Sequence, residues 1–133
     1  MKHWRILSMA TILILLVALL PAQIASAAPA CSITYTNQND WGAGATINVV
    51  ISNTGTTNLT AWTLTWTFPG NQVITGLWGG SYTQNGSAVS VKDAGYNATV
   101  APNGGTTSFG FNANYSGTNA KPATFTLNGV VCQ

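Results

Sequence analysis

Charged residues are scarce in this 133-residue chain, at 5% of the sequence, and glutamate is absent altogether. Arginine and histidine do not occur beyond residue 30. The charges left there balance to zero (2 − 2) and are Lys92, Lys121, Asp40 and Asp93. Without a basic patch the chain does not fit nucleic acid, and without a polybasic stretch it does not fit an anionic membrane surface. We therefore expect a neutral partner.

The same shortages argue against catalysis. Glycoside hydrolysis uses two carboxylates placed across a scissile bond. The two available, Asp40 and Asp93, lie in turn-like segments where aspartate commonly bonds the local backbone. Copper-dependent oxidative cleavage and Ser/His/Asp chemistry both need histidine, and two cysteines without histidine cannot complete a metal site. We predict a protein that is not an enzyme and holds no metal and no cofactor.

One long apolar run occurs, and it lies at the N-terminus. Lys2 and Arg5 make the start positive, and residues 12–20 are an apolar core too short for a spanning helix. Ala25–Ala27 follows as a small-residue cleavage site. We predict that 1–27 is a signal peptide and that 28–133 is the exported domain. That domain is expected to be secreted, extracellular, monomeric and free of the membrane after cleavage.

Cysteine occurs twice, at Cys31 and Cys132, which bracket the exported domain. A redox pair is usually closer in sequence, as in Cys-x-x-Cys. In an oxidising compartment the two residues most simply form one structural disulfide. Such a bridge closes a loop of roughly 100 residues and stabilises the fold by up to ~4.7 kcal/mol in the chain-entropy model.

Alternation of apolar and polar residues runs through the rest of the chain. Residues 62–68 alternate strictly between large apolar residues and threonine. Shorter or less strict runs lie at 33–35, 47–51, 89–91, 109–111 and 125–127. Period-two patterning punctuated by Asn, Gly and Pro is typical of short antiparallel strands. We predict an all-β, antiparallel sandwich of the immunoglobulin-like or jelly-roll type.

Three aromatic residues fall outside this alternation. Trp62 and Trp66 share the apolar face of their run and are expected in the core. Trp41, Trp78 and Tyr96 instead lie in turn segments rich in Gly and Asn, which run over the surface. For any one of these rings there is an alternative interpretation, in which the ring packs against one end of the sandwich and has only a structural role. As a set they predict a surface that stacks on a flat, neutral, hydroxylated partner, which best fits a polysaccharide.

Several ordered motifs carry a resemblance that covers residues 31–132. They are Ile-Thr-Tyr after the first Cys, Asn-Asp-Trp-Gly at 39–42, Val-Ile-Ser-Asn-Thr-Gly at 50–55, Ala-Trp-Thr-Leu-Thr-Trp-Thr-Phe-Pro-Gly at 61–70, Phe-Gly-Phe-Asn at 109–112, Ser-Gly-Thr-Asn at 116–119 and Leu-Asn-Gly before the last Cys. The chain resembles the family 2 carbohydrate-binding modules, type a, of secreted bacterial cellulases and xylanases. The resemblance implies about nine strands, a terminal disulfide and a flat aromatic strip that lies along insoluble cellulose.

Site residues follow from the resemblance position by position. Trp41 and Trp78 match the first two platform tryptophans, and Tyr96 stands where the third is usually tryptophan. Gly76 and Ser108 stand where some relatives have glutamine, so fewer side chains beside the strip can form hydrogen bonds in this chain. The polar positions beside the strip are matched by Asn39, Asn48 and Asn112.

Other interpretations stay open. A xylan-binding sub-family with turned rings relies on an arginine near the middle platform, and none occurs beyond residue 30. Chitin is a further candidate ligand. A secreted adhesive sandwich that binds another protein would also cover exposed rings, although such interfaces tend to pair aromatic residues with arginine. Two organisations fit the sequence: a module secreted on its own, or a piece of a larger glycoside hydrolase that degrades plant cell walls.

Overall fold

The computed structural model describes residues 17–22 and 30–133, and the second of these ranges forms two antiparallel β-sheets. The strands of the described residues are β1 Cys31–Asp40, β2 Gly44–Asn53, β3 Thr63–Thr67, β4 Val73–Trp78, β5 Gly80–Asn85, β6 Ala88–Asp93, β7 Gly105–Asn114, β8 Phe125–Leu127 and β9 Val130–Val131. The first sheet has the order β1-β2-β7-β4 and the second β5-β6-β3-β8-β9. The predicted all-β sandwich is confirmed.

The predicted signal peptide lies mostly outside the described residues. Its positive start and its cleavage site at Ala25–Ala27 fall within 1–16 and 23–29, and residues 17–22 have no regular secondary structure. No helix in the described part of the chain is long and apolar enough to cross a membrane. The boundary between 1–27 and 28–133 stays a prediction.

One apolar core lies between the sheets, and the residues that fill it include the apolar residues of the alternating runs. Trp62, Trp66 and Phe68 are all buried, as their shared face predicted. Trp66 stacks on Phe109 and Phe111 of β7, at ring-centroid distances of 6.1 and 5.8 Å. Because those partners belong to the other sheet, the stack joins the two layers and fixes which face of β7 is left for solvent.

The terminal disulfide is also confirmed. Cys31 and Cys132 are bonded, with their Cα atoms 4.9 Å apart. Beside the bridge, the backbone N–H of Gln133 donates to Cys31 O at 3.1 Å, and that of Ile33 donates to Gln133 O at 2.8 Å. The end of the chain therefore continues the first sheet along β1, although β9 belongs to the second sheet.

Strands β4 and β5 lie where the sequence shows no alternation, so their positions were not predicted. Trp78 is consequently the last residue of β4 rather than a turn residue. The pairing of β4 with β7 shifts register between Ile74 and Gly76. A bulge of this kind interrupts the period-two pattern, which explains why the alternation does not reveal the strand.

Candidate functional site

The outer face of the first sheet carries most of the predicted site residues. Directly paired residues of an antiparallel sheet point to the same face. Asn112 of β7 and Asn39 of β1 are paired with the same residue of β2, and Asn48 is paired with Gly110. Gly110 is also the partner of Trp78. The three asparagines and Trp78 therefore share one surface, which we call the platform face.

Trp78 rests directly on the sheet because its cross-strand partner is a glycine. A Cβ atom on Gly110 would lie only 2.5 Å from Cε2 and Cζ2 of the Trp78 indole, so the ring fills the space that any other side chain would need. Trp78 nevertheless keeps 49% of its surface exposed. The indole thus has one side against the backbone and the other open to solvent.

Trp41 repeats this arrangement at the turn between β1 and β2. A Cβ atom on Gly44 would lie 2.6 Å from Cζ2 of the Trp41 indole, and Trp41 is 54% exposed. Alternation along β2 puts Gly44 on the same face as Asn48. Sequence reasoning missed Gly44 and Gly110, although a glycine inside a strand pattern often marks the close approach of another group.

The two indoles follow one another along β7. Gly44, beneath Trp41, is paired with Asn114, whereas Trp78 lies over Gly110. Four residues of antiparallel strand span about 14 Å at ~3.4 Å per residue. The rings are therefore set in a line along the strand and are not stacked on each other.

Tyr96 lies in the connection between β6 and β7, and it is 84% exposed. Its neighbour Asn97 holds the turn in place, because Asn97 Nδ2 donates to Gly79 O at 2.7 Å. Gly79 lies against β7 in turn, since a Cβ there would be 3.1 Å from Ser108 O. The connection that carries Tyr96 is therefore tied to β7 on the side of Gly110 that lies away from Trp41.

Asp40 fixes the turn that carries Trp41. Its carboxylate accepts hydrogen bonds from the hydroxyl of Tyr115, from Asn119 Nδ2 at 3.0 Å and from the backbone N–H of Gly42 at 2.9 Å. These donors, with that of Tyr115 first, hold the pKa of the Asp40 carboxyl well below its usual range. Because two of them come from the segment after β7, ionised Asp40 anchors the turn to the rest of the sheet.

Asp40 should therefore stabilise the fold near neutrality and make the thermal stability depend on pH only in acid. A carboxyl whose pKa is lowered by folding stabilises the folded state above its unfolded pKa of about 3.9, and this is lost as pH falls through the lower folded pKa. We expect Tm to be steady near neutrality and to fall in strong acid, with a smaller fall for Asp40→Asn. Thermal melts of both proteins across this range measure the difference, and equal pH profiles would contradict it.

The other candidate carboxylate is also engaged in local structure. Asp93 accepts hydrogen bonds from the backbone N–H of Trp62 at 3.1 Å and from that of Gly95 at 3.0 Å. Like Asp40, it shapes a turn that carries one of the predicted site residues, in this case Tyr96. The two carboxylates considered for hydrolysis therefore hold different turns, that of Trp41 and that of Tyr96.

Comparison with known proteins decides the family. The family model for carbohydrate-binding modules of family 2, described as a cellulose binding domain, matches residues 31–132. The chain belongs to this family. As a family 2 module it is a binding domain and not an enzyme, and the similar solved structures include isolated binding domains.

Relatives of this family 2 module include cellulases and chitin-binding domains. Endoglucanase B of Cellulomonas fimi is 45% identical over 104 residues, covering 78% of this chain and 10% of that enzyme. The chitin-binding domain of Chi18aC from Streptomyces coelicolor is 36% identical with a TM-score of 0.64, covering 80% of this chain and 97% of that one. A cellulose-binding family 2 domain from ScLPMO10C is 28% identical with a TM-score of 0.58 and the same coverages. The chain spans between 9% and 23% of the length of the curated relatives it matches here.

Proposed function

We propose that this module binds insoluble cellulose, or a related neutral β-glucan, by laying its platform face along the polysaccharide. The observation that carries the proposal is the pair of half-exposed indoles, Trp41 and Trp78, each resting on a glycine of one sheet face. The faces of a β-linked glucan are C–H surface, which stacks on aromatic rings, and its edges are hydroxyls. Amides that can bond those hydroxyls are supplied by Asn39, Asn48 and Asn112.

The energetics fit a surface that meets several sugars at once. If each indole covers about 60 Å² of apolar polysaccharide surface, burial contributes roughly 1.5 kcal/mol per ring. Tyr96 has a smaller ring and contributes less. Association and ordering oppose these gains, so one ring alone is insufficient. The neutral charge balance beyond residue 30 is suited to a neutral surface.

Adsorption isotherms on microcrystalline cellulose, chitin and xylan test the proposal. We expect saturable adsorption on cellulose and little on xylan. Chitin is the second candidate, favoured by the 36% identity to the chitin-binding domain of Chi18aC, and stronger adsorption on chitin than on cellulose would reassign the ligand. If the folded protein adsorbs to none of the three, a protein partner becomes the better interpretation.

The glycines beneath the rings give a sharper test. Gly110→Ala places a Cβ inside the Trp78 indole and should displace the ring, so we expect weaker adsorption with little loss of Tm. Gly76→Ala is a matched control, since it lies on the same face of β4 and a Cβ there has no atom within 4 Å. Wild-type adsorption by the folded Gly110→Ala variant would contradict the role of the ring's position.

Salt should have little effect on adsorption. A neutral module on a neutral polysaccharide has few counterions to release, and screening acts on charges that are scarce here. We expect the isotherm to change little between dilute buffer and molar sodium chloride. A steep loss of adsorption with salt would indicate an acidic polymer or a charged protein as the partner.

We also infer where the module works. The predicted signal peptide at 1–27 and the endoglucanase and chitinase names of its relatives support a secreted, extracellular module that serves polysaccharide degradation, which we propose to be that of cellulose. We also propose that the module is a monomer. It is proposed to bind neither nucleic acid nor, after cleavage, the membrane. Mass determination of the protein recovered from culture medium tests both the export and the cleavage site.

A further inference from the structure

A threonine and an asparagine form a bonded pair between the two indoles. Thr46 of β2 is paired with Asn112 of β7. This pair lies two residues from Gly110, beneath Trp78, and two residues from the pair that contains Gly44. Asn112 is therefore midway along the strip between the rings, where the edge of a bound sugar chain would pass.

The hydrogen bond inside the pair leaves one end of the amide free. Thr46 Oγ1 donates to Asn112 Oδ1 at 2.7 Å, and both side chains are half-buried. An amide has an accepting oxygen and two N–H donors. Because its oxygen is engaged by Thr46, the amide offers its Nδ2 donors to the platform face, and no group within residues 30–133 accepts a hydrogen bond from Nδ2.

The neighbouring asparagines lack this constraint. Asn39 and Asn48 make no side-chain hydrogen bond with the described residues, so their amides can turn to present either end. The backbone beneath Asn112 is held as well, since Thr75 Oγ1 donates to Asn112 O at 3.3 Å. Of the three amides on the strip, that of Asn112 is the one fixed before any ligand arrives.

We propose that Thr46 is a positioning residue that sets the Asn112 amide with its donors outward, so that the gap between the indoles selects an acceptor oxygen on the edge of the sugar chain. This proposal rests on the proposed function. In both candidate ligands the atom that meets the amide is an oxygen that accepts a hydrogen bond. In a glucan it is a ring or hydroxyl oxygen, and in chitin it is the acetamido carbonyl oxygen. A donor fixed beforehand strengthens binding because less conformational freedom is lost on association.

Three variants test the role of the hydroxyl. Thr46→Val keeps the shape and the strand preference of threonine but removes the donor, and Thr46→Ser keeps the donor. Thr36→Val is the matched control, since Thr36 lies on the same face in β1 and makes no side-chain hydrogen bond with the described residues. Adsorption on cellulose and on chitin is measured for each, together with Tm and the side-chain NH₂ signals of Asn112 by NMR.

We expect Thr46→Val to lower adsorption between about two- and ten-fold, the range of one hydrogen bond. Thr46→Ser should restore it, Thr36→Val should behave as wild type, and Tm should be unchanged in all three. In Thr46→Val the Asn112 NH₂ signals should shift or broaden as the amide becomes free to turn. A loss on cellulose alone assigns the acceptor to the glucan, and a loss on chitin alone assigns it to the acetamido group.

The failures are distinguishable. If Thr46→Val is folded and adsorbs to both polysaccharides as wild type does, the positioning role is wrong and the proposed function stands. If the wild type adsorbs to neither, both are wrong, because there is no sugar chain for the amide to meet. Should Thr46→Val not fold, Asn112→Leu removes the donors from the same place, and unchanged adsorption by that variant overturns the proposal.

Discussion

The double substitution Trp41→Ala, Trp78→Ala should abolish most of the adsorption on cellulose while leaving the protein folded. At roughly 1.5 kcal/mol for each ring, losing both weakens binding by about 3 kcal/mol, or on the order of 100-fold. Both indoles are about half exposed, so removing them takes little surface from the core and Tm should change little. Isotherms on cellulose and thermal melts measure the two effects.

A control comes from an exposed ring on the other sheet. Tyr82 lies on β5 and is 37% exposed. Tyr82→Ala should adsorb as wild type does, since this ring is not part of the platform face. Wild-type adsorption by the folded double variant would contradict the assignment of the site, and a loss in Tyr82→Ala would extend the binding surface to the second sheet.

Trp62→Ala should have the opposite effect and destabilise the fold. Trp62 is 1% exposed and stacks on Phe109 with ring centroids 5.8 Å apart. Truncating a buried tryptophan to alanine leaves a cavity and costs about 3–5 kcal/mol. Chemical denaturation of wild type and variant measures the difference in the free energy of unfolding.

Trp62→Phe separates packing from hydrogen bonding. The indole Nε1 of Trp62 donates to Asn97 O at 3.0 Å, in the turn that carries Tyr96. Phenylalanine keeps most of the ring and loses this donor, so we expect a smaller loss of stability than with alanine. A cost below about 1 kcal/mol for Trp62→Ala would contradict its place in the core.

How much the sequence predicts depends on the length and regularity of each strand. Strict alternation at 62–68 indicates both the strand and its buried face, because period two matches the pleat. The same reasoning does not find strand β4. Its pairing with β7 shifts register between Ile74 and Gly76, which interrupts the period of two. It also lies at the edge of its sheet, where fewer side chains have to be apolar. Trp78 therefore reads as a turn residue in the sequence although it ends a strand.

The candidate site, like the fold, is predicted by the sequence only in part. Turn composition and family motifs single out Trp41, Trp78 and Tyr96, because large rings among Gly and Asn are unusual at a surface. What orients them is only partly local in sequence, since the glycine beneath Trp41 is the nearby Gly44. The glycine beneath Trp78 lies 32 residues further along the chain, at Gly110, and the partner of Asn112 is Thr46. Contacts of this range depend on strand pairing, which the pattern of a single strand does not specify.

Protection of the tryptophans from oxidation tests the central claim most directly. The folded protein is treated with N-bromosuccinimide, free and adsorbed on cellulose, and oxidation at each tryptophan is read by peptide mass spectrometry. Trp41 and Trp78 should react in the free protein and be protected on cellulose, whereas buried Trp62 and Trp66 should stay unreactive in both states. If Trp41 and Trp78 react as fast on cellulose as in solution, the platform face is not the binding surface.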